Sequence, residues 1–209
     1  MTIRSTLPKT LLLLLFAMSF TGCVNIIMKV YGIKSPKQLN EQQVLKFASK
    51  YNIPKEDCYL LDTAYYGYLF SLDSTVNKLS VKNHYQPLQA LYYNKNGDLV
   101  SFHPNCYAQG GINLNWNWDS AFNDFVPQTH APLDSIMPLD KHLQFLSPLT
   151  DSYPLNHQEY DYFIIVQWSR LMHRQSKRLI NVIQENVLLH KGNHSVKIIY
   201  VNNDNSYSE

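Results

Sequence analysis

Apolar positions along this chain change period from segment to segment, and each period predicts an element. After Asn40 the spacing is helical: Val44, Leu45, Phe47, Ala48 and Tyr51 form one stripe. Asn40 supplies an N-cap, Gln43 is its capping-box partner, and Asn52 and Pro54 end the run. From Cys58 to Leu72 the period is mixed, which predicts a strand followed by a second helix. Leu88 to Tyr93 and Leu99 to Phe102 flank Asn94-Lys-Asn-Gly-Asp98. Two β-rich runs around an Asn-Gly turn predict a hairpin, because both turn residues accept positive φ. Tyr162 to Trp168 is a continuous apolar run, as in a parallel strand buried on both faces. Leu179, Ile180, Ile183 and Val187 predict a helix over Gln175 to His190, stopped by Gly192. Val196 to Val201 reads as another strand. With Ser169 to His173 as the turn, this is a βαβ unit near the C-terminus.

Between hairpin and βαβ unit the pattern breaks. Residues 104–157 carry Pro104, the Gly110-Gly111 pair, Pro127, Pro132, Pro138, Pro148 and Pro154. Short helices are expected near Asp119 to Phe125 and Asp140 to Leu146. A long irregular insertion of this kind packs on a sheet and is also where a partner binds.

The first segment reads differently. Arg4 and Lys9 precede an apolar stretch from Leu11 to Phe20, then Thr21-Gly22-Cys23. A basic start, an apolar run and a small residue before the cut make a signal peptide. A Cys directly after the small residue resembles the bacterial lipoprotein signal, with Phe20 where Leu is usual. The resemblance implies that residues 1–22 are removed and that Cys23 becomes an acylated, palmitate-bearing N-terminus. It also implies a tether over 23–38 and a single α/β globular domain over 39–209. The location is then the bacterial cell envelope, periplasmic or surface face, with the lipid bilayer as a partner through Cys23. A plain cleaved leader and an anchor helix are the alternatives. The second fits poorly, because a spanning helix needs about 20 apolar residues and Lys9, Ser19, Thr21 and Asn25 crowd the run.

Losing the leader changes the charge. The whole chain has a formal net charge of +2, and Arg4 and Lys9 account for it, so the mature chain is balanced. A neutral chain excludes nucleic acid as the expected partner, which would need a clustered basic surface. A hydrophobic content of 45% marks a globular chain. Setting Cys23 aside leaves Cys58 and Cys106. An even pair in an oxidising compartment suggests a disulfide. Two free thiols acting as small hydrophobes are the alternative.

The βαβ unit resembles the thioredoxin-like family. The family joins an apolar strand ending in Trp, a redox Cys-x-x-Cys loop, a long helix and a strand often ending in Val-Asn-x-Asp. Here the parts read Phe163-Ile-Ile-Val-Gln-Trp168, Ser169-Arg-Leu-Met-His-Arg-Gln175, the helix, and Tyr200-Val-Asn-Asn-Asp204. After Trp168, Met172 and Gln175 stand at the two Cys positions in one register, Ser169 and Met172 in the other. Neither register holds a thiol, and disulfide exchange needs a thiolate at a helix N-terminus. The resemblance implies a three-layer α/β/α thioredoxin-like fold with a C-terminal βαβ unit and a central β-hairpin. Another α+β sandwich is the alternative. The implied function is a non-catalytic binding or structural module of an envelope lipoprotein, with a protein or peptide partner. The alternatives are a divergent thiol-disulfide oxidoreductase using Cys58 and Cys106, and a subunit of an envelope assembly.

Other constellations carry two readings each. His190 and His194 have a zinc-like spacing, yet Gly192 and Asn193 interrupt them and no third ligand is evident. His103 stands near Cys106, but a reactive pair needs mutual orientation. In Asn115-Trp-Asn-Trp-Asp119 the alternating Trp residues either anchor to the core or line a groove. Arg170, His173, Arg174, Lys177 and Arg178 crowd a helix N-terminus, as a solvated face or as an anion site. No nucleophile elbow, phosphate-binding loop, dinucleotide fingerprint or His-Glu-x-x-His occurs, so no metal and no cofactor is expected.

Overall fold

The continuous apolar run Tyr162–Trp168 becomes the third strand of a six-stranded sheet and is buried along nearly its whole length. The computed structural model describes residues 32–72, 77–111, 114–150, 155–190, 192 and 194–208. Cys23 and the leader before it lie outside the described residues. The described elements run in the order α1 (Glu41–Lys50), β1 (Cys58–Leu61), α2 (Ala64–Leu72), α3 (Lys78–His84), β2 (Gln89–Asn94) and β3 (Leu99–Pro104). They continue with α4 (Leu139–Leu143), β4 (Leu146–Pro148), β5 (Tyr162–Trp168), α5 (His173–Leu188) and β6 (Val196–Asn202).

The sheet order is β3-β2-β5-β6-β1-β4. Strands β5, β6 and β1 are parallel neighbours, while β2 joins β5 and β4 joins β1 antiparallel. The βαβ unit therefore fills the two central positions, in register from Tyr162 with Val196 to Trp168 with Asn202. Alternation divides the core in two. Ile164, Val166 and Trp168 face a layer holding Val44 and Ala48 of α1 and Leu179, Ile180 and Ile183 of α5. Phe163 and Ile165 face the opposite layer, with Tyr65 and Leu69 of α2, Val81 of α3 and Leu139 of α4. The expected α/β class is observed, as a mixed sheet with helices on both faces.

Local chemistry explains the elements that the pattern predicts. Asn40 Oδ1 accepts from Gln43 N at 2.9 Å, and Gln43 Oε1 accepts from Asn40 N at 3.2 Å, so the capping box forms. In the hairpin, Asn94 Oδ1 accepts from Asn96 N at 2.9 Å and Asp98 N at 3.0 Å. Gly97 takes φ 82°, open to glycine at little cost. The hairpin is central in the chain but forms one edge of the sheet.

Several expectations shift. Helix α5 starts at His173, two residues before Gln175, and ends at Leu188. Near 119–125 only a 3-10 turn forms, Ala121–Asn123, and the helix expected over 140–146 is the short Leu139–Leu143. Helix α3 and edge strand β4 have no counterpart in the sequence reading. Asn77 caps α3 by accepting from Leu79 N at 2.9 Å, a local cue that was present. Strand β4 has three residues and ends on Pro148, tolerable only at an edge.

His142 of α4 is fully buried against the ring of Tyr65, with centroids 5.3 Å apart. Its Nδ1 lies 3.3 Å from Tyr93 Oη, and its Nε2 lies 3.3 Å from Gln167 Nε2. Tyr93 donates to Met137 O at 3.2 Å, so a neutral ring protonated on Nδ1 satisfies every group. Burial, with nearby His84, pushes its pKa down to about 3 from 6.5. The unfolded chain therefore takes up this proton first. The stabilisation is complete above pH 6.5 and is lost as pH falls from there towards 3. Denaturant titrations from pH 7 to pH 4 are expected to show a loss of about 1.4 kcal/mol per pH unit from this site. His142→Gln is expected to remove that part of the slope whatever its effect on stability at pH 7.

Candidate functional site

At the carboxyl ends of the three parallel strands, the chain leaves β5 towards the α5 layer and leaves β1 towards the α2 layer. In open α/β sheets such divergence leaves a crevice where ligands bind. Here the residues that follow β6 bridge it. The 3-10 turn Asp204–Tyr207 follows β6. Tyr207 Oη sits 2.6 Å from Tyr66 Oη on α2. On the other side, Asn205 Oδ1 accepts from Leu39 N at 2.8 Å and Asn205 Nδ2 donates to Leu39 O at 3.1 Å.

Asp204 organises this edge. It is buried, and its Oδ1 accepts from Ser169 Oγ at 2.8 Å and from Leu171 N at 3.0 Å. Its Oδ2 accepts from Arg170 N at 2.6 Å and from Asn202 Nδ2 at 2.8 Å. Ser176 Oγ accepts from Ser169 N and donates to Ser169 O, at 3.1 and 2.7 Å. The loop between β5 and α5 is thus held rigidly by a carboxylate with both oxygens engaged. Trp168 is buried edge-on against Tyr51, with centroids 5.3 Å apart. Ser169 and Gln175 are buried and Met172 is half-buried, so the four positions matched to the redox loop come together as packing and bracing groups.

A cationic shell surrounds the bracket. Tyr51 Oη hydrogen-bonds His173 Nδ1 at the start of α5. Burial, then the charges of Lys34, Lys50, Lys177 and Arg174, hold His173 below the ordinary imidazole range. Burial, then Arg170 and Lys50, lower Lys34. The Nζ atoms of Lys34 and Lys50 lie 5.6 and 5.4 Å from the Phe47 ring centroid. The first turn of α5 holds no acidic residue. Sequence reasoning named the α5 cations and quoted Asp204 only as the end of the Val-Asn-x-Asp motif, and it missed Lys34 and Lys50, which only the fold brings there. An acid two residues past the end of a parallel strand was the available cue for Asp204.

Cys58 and Cys106 are free, the first buried and the second exposed. Cys58 opens β1, fifth in the sheet, and Cys106 follows β3, the first strand. Four strand spacings separate them by about 19 Å, against a Cα limit of about 7 Å for a disulfide. Burial, with Asp57 beside it, pushes the Cys58 thiol up to about 12. Burial also raises Cys106.

The remaining constellations separate. Trp116 is core, whereas Trp118 is half-exposed and donates to Tyr107 O at 3.2 Å. Asn115, Trp116 and Asn117 line an open cavity of about 280 Å³ with Arg178 and Val182 of α5. The rings of His190 and His194 do meet, with centroids 5.4 Å apart, and His194 Nδ1 is 3.6 Å from Asp161. Among the described residues no group of three metal-ligating side chains assembles. His103 turns away from Cys106 into a chain of hydrogen bonds. Ser101 Oγ donates to its Nε2 at 2.7 Å, its Nδ1 donates to His130 Nδ1 at 3.0 Å, and His130 Nε2 donates to Asp119 at 3.1 Å. Burial, then the neighbouring His130, holds His103 well below the usual imidazole range. Ser101 is fully buried, which makes this chain a brace between β3 and the insertion.

Removing the Asp204 carboxylate takes the acceptor from Ser169 Oγ, Arg170 N and Asn202 Nδ2, and leaves Leu171 N with Ser169 Oγ alone. Asp204→Ala is expected to lower the unfolding free energy by about 3 kcal/mol in urea titration. Asp204→Asn, with one acceptor oxygen left, is expected to recover part of that. No family model, curated protein or solved structure matches this chain.

Proposed function

We propose that this protein is an envelope lipoprotein, tied to a membrane by acylated Cys23, whose domain is a non-catalytic thioredoxin-like binding or structural module. The location rests on the leader and on Cys23. The thioredoxin-like detail is supported by the β5–α5–β6 unit at the sheet centre, with an antiparallel hairpin beside β5 and helices on both faces. The observation that carries the non-catalytic reading is the loop after Trp168. Where the family has its thiols, this chain has Ser169, Met172 and Gln175, closed over by Asp204. A bracket of that kind favours rigidity, and exchange chemistry needs a mobile, low-pKa thiolate. The described thiols are far apart and both are raised.

Two measurements test the reading. In bacteria fed labelled palmitate, the wild-type chain is expected to take up label and Cys23→Ser to take up none. An unlabelled wild-type chain would overturn the anchor. In an insulin-reduction assay the protein is expected to match the blank. Turnover that Cys106→Ser abolishes would instead establish the oxidoreductase.

A further inference from the structure

Basic and acidic residues balance over the mature chain, yet at one end of the fold they do not. Lys34, Lys50, Arg170, Arg174 and Lys177 gather around His173 at the carboxyl edge of the sheet. Lys34, Lys50 and Lys177 meet no carboxylate among the described residues. Asp204, the acid of this edge, is buried and engaged by four donors. Lys50, Arg174 and Lys177 are exposed, and half-buried Phe47 lies beneath Lys34 and Lys50. Like charges crowded at a helix N-terminus oppose its dipole, which is unfavourable unless an anionic partner neutralises them.

The same end receives the chain from its N-terminal side. Gly32 lies against the Arg174 side chain, Lys34 N donates to Leu171 O at 2.9 Å, and Arg170 donates to Ser35 O. From Cys23 to Gly32 an extended chain reaches at most about 30 Å. An anchor at Cys23 therefore holds this end of the domain within that distance of the bilayer, at a high local concentration.

We propose that the basic end around Lys34, Lys50 and Lys177 is the face that the domain lays against anionic phospholipid headgroups of the membrane holding Cys23. The inference rests on the anchored reading above. Charge complementarity supplies the attraction, each lysine near an anionic surface strengthening association roughly fivefold. Phe47 supplies a flat apolar surface at the interface. Docking orients the domain, with the opposite end of the sheet presented away from the lipid.

The test uses the full protein purified from bacterial membranes and mixed with phosphatidylcholine vesicles, with or without phosphatidylglycerol. Flotation with the neutral vesicles reads the anchor alone. Hydrogen exchange of residues 32–36, 46–51 and 170–178 reads the docked face. Protection is expected with phosphatidylglycerol only, and is expected to fade at high salt, where screening shortens the reach of the charges. Lys50→Glu is expected to lower the anionic-to-neutral protection ratio roughly fivefold or more. The triple variant Lys34→Glu, Lys50→Glu, Lys177→Glu is expected to abolish the difference while still floating. Equal exchange on both vesicle types, in a protein that floats, would overturn the docked face and leave the anchor intact. Failure to float with neutral vesicles would overturn the anchor itself, whereas salt-sensitive protection on anionic vesicles would still identify the face.

Discussion

The two central strands are apolar on both faces, and that requirement shapes everything around them. Neither face of β5 can be left to water, so each needs its own helical layer: α1 and α5 on one side, α2, α3 and α4 on the other. Fully burying one such side chain is favourable by roughly 1.5–3 kcal/mol, and β5 buries Phe163, Ile164, Ile165, Val166 and Trp168. The antiparallel hairpin and the short β4 are then edge pieces, free to be partly polar because they terminate the sheet.

Where the parallel strands end, the apolar logic gives way to a polar one. Backbone amides at the start of α5 need acceptors, and no side chain caps the helix. Asp204 takes the amides of Arg170 and Leu171, while Ser176 ties Ser169 back onto the first turn of the helix. One carboxylate thus sets the conformation of the loop between β5 and α5. The cations around it are repelled by the positive end of the α5 dipole and by one another.

Sequence was most informative where structure is local. The Asn40 capping box, the Asn-Gly turn and the 3.6-residue stripe of α5 depend on neighbours within a few residues, and each appeared where its pattern pointed. Strand order does not work that way. Nothing near β4 says that it pairs with β1, and nothing in the parity of Cys58 and Cys106 says that three strands stand between them. The candidate edge was half legible. Trp168, Ser169, Met172 and Gln175 could be placed from the βαβ pattern, and the α5 cations could be read as a cluster. Lys34, Lys50, Tyr51 and Asp204 join them only through long-range packing, which no local period encodes.

The clasp between Leu39 and Asn205 has a mechanical side. Leu39 and Asn205, 166 positions apart in sequence, are joined by paired hydrogen bonds, and Lys34 and Ser35 are stitched to Leu171 and Arg170. Traction on the chain ahead of Gly32 does not peel an edge strand from the sheet. The load enters at the carboxyl edge and passes through Asp204 into β6, at the centre. The hydrogen bonds of the central strands then share that force in shear, so a pull at this edge is borne by the most deeply buried part of the molecule.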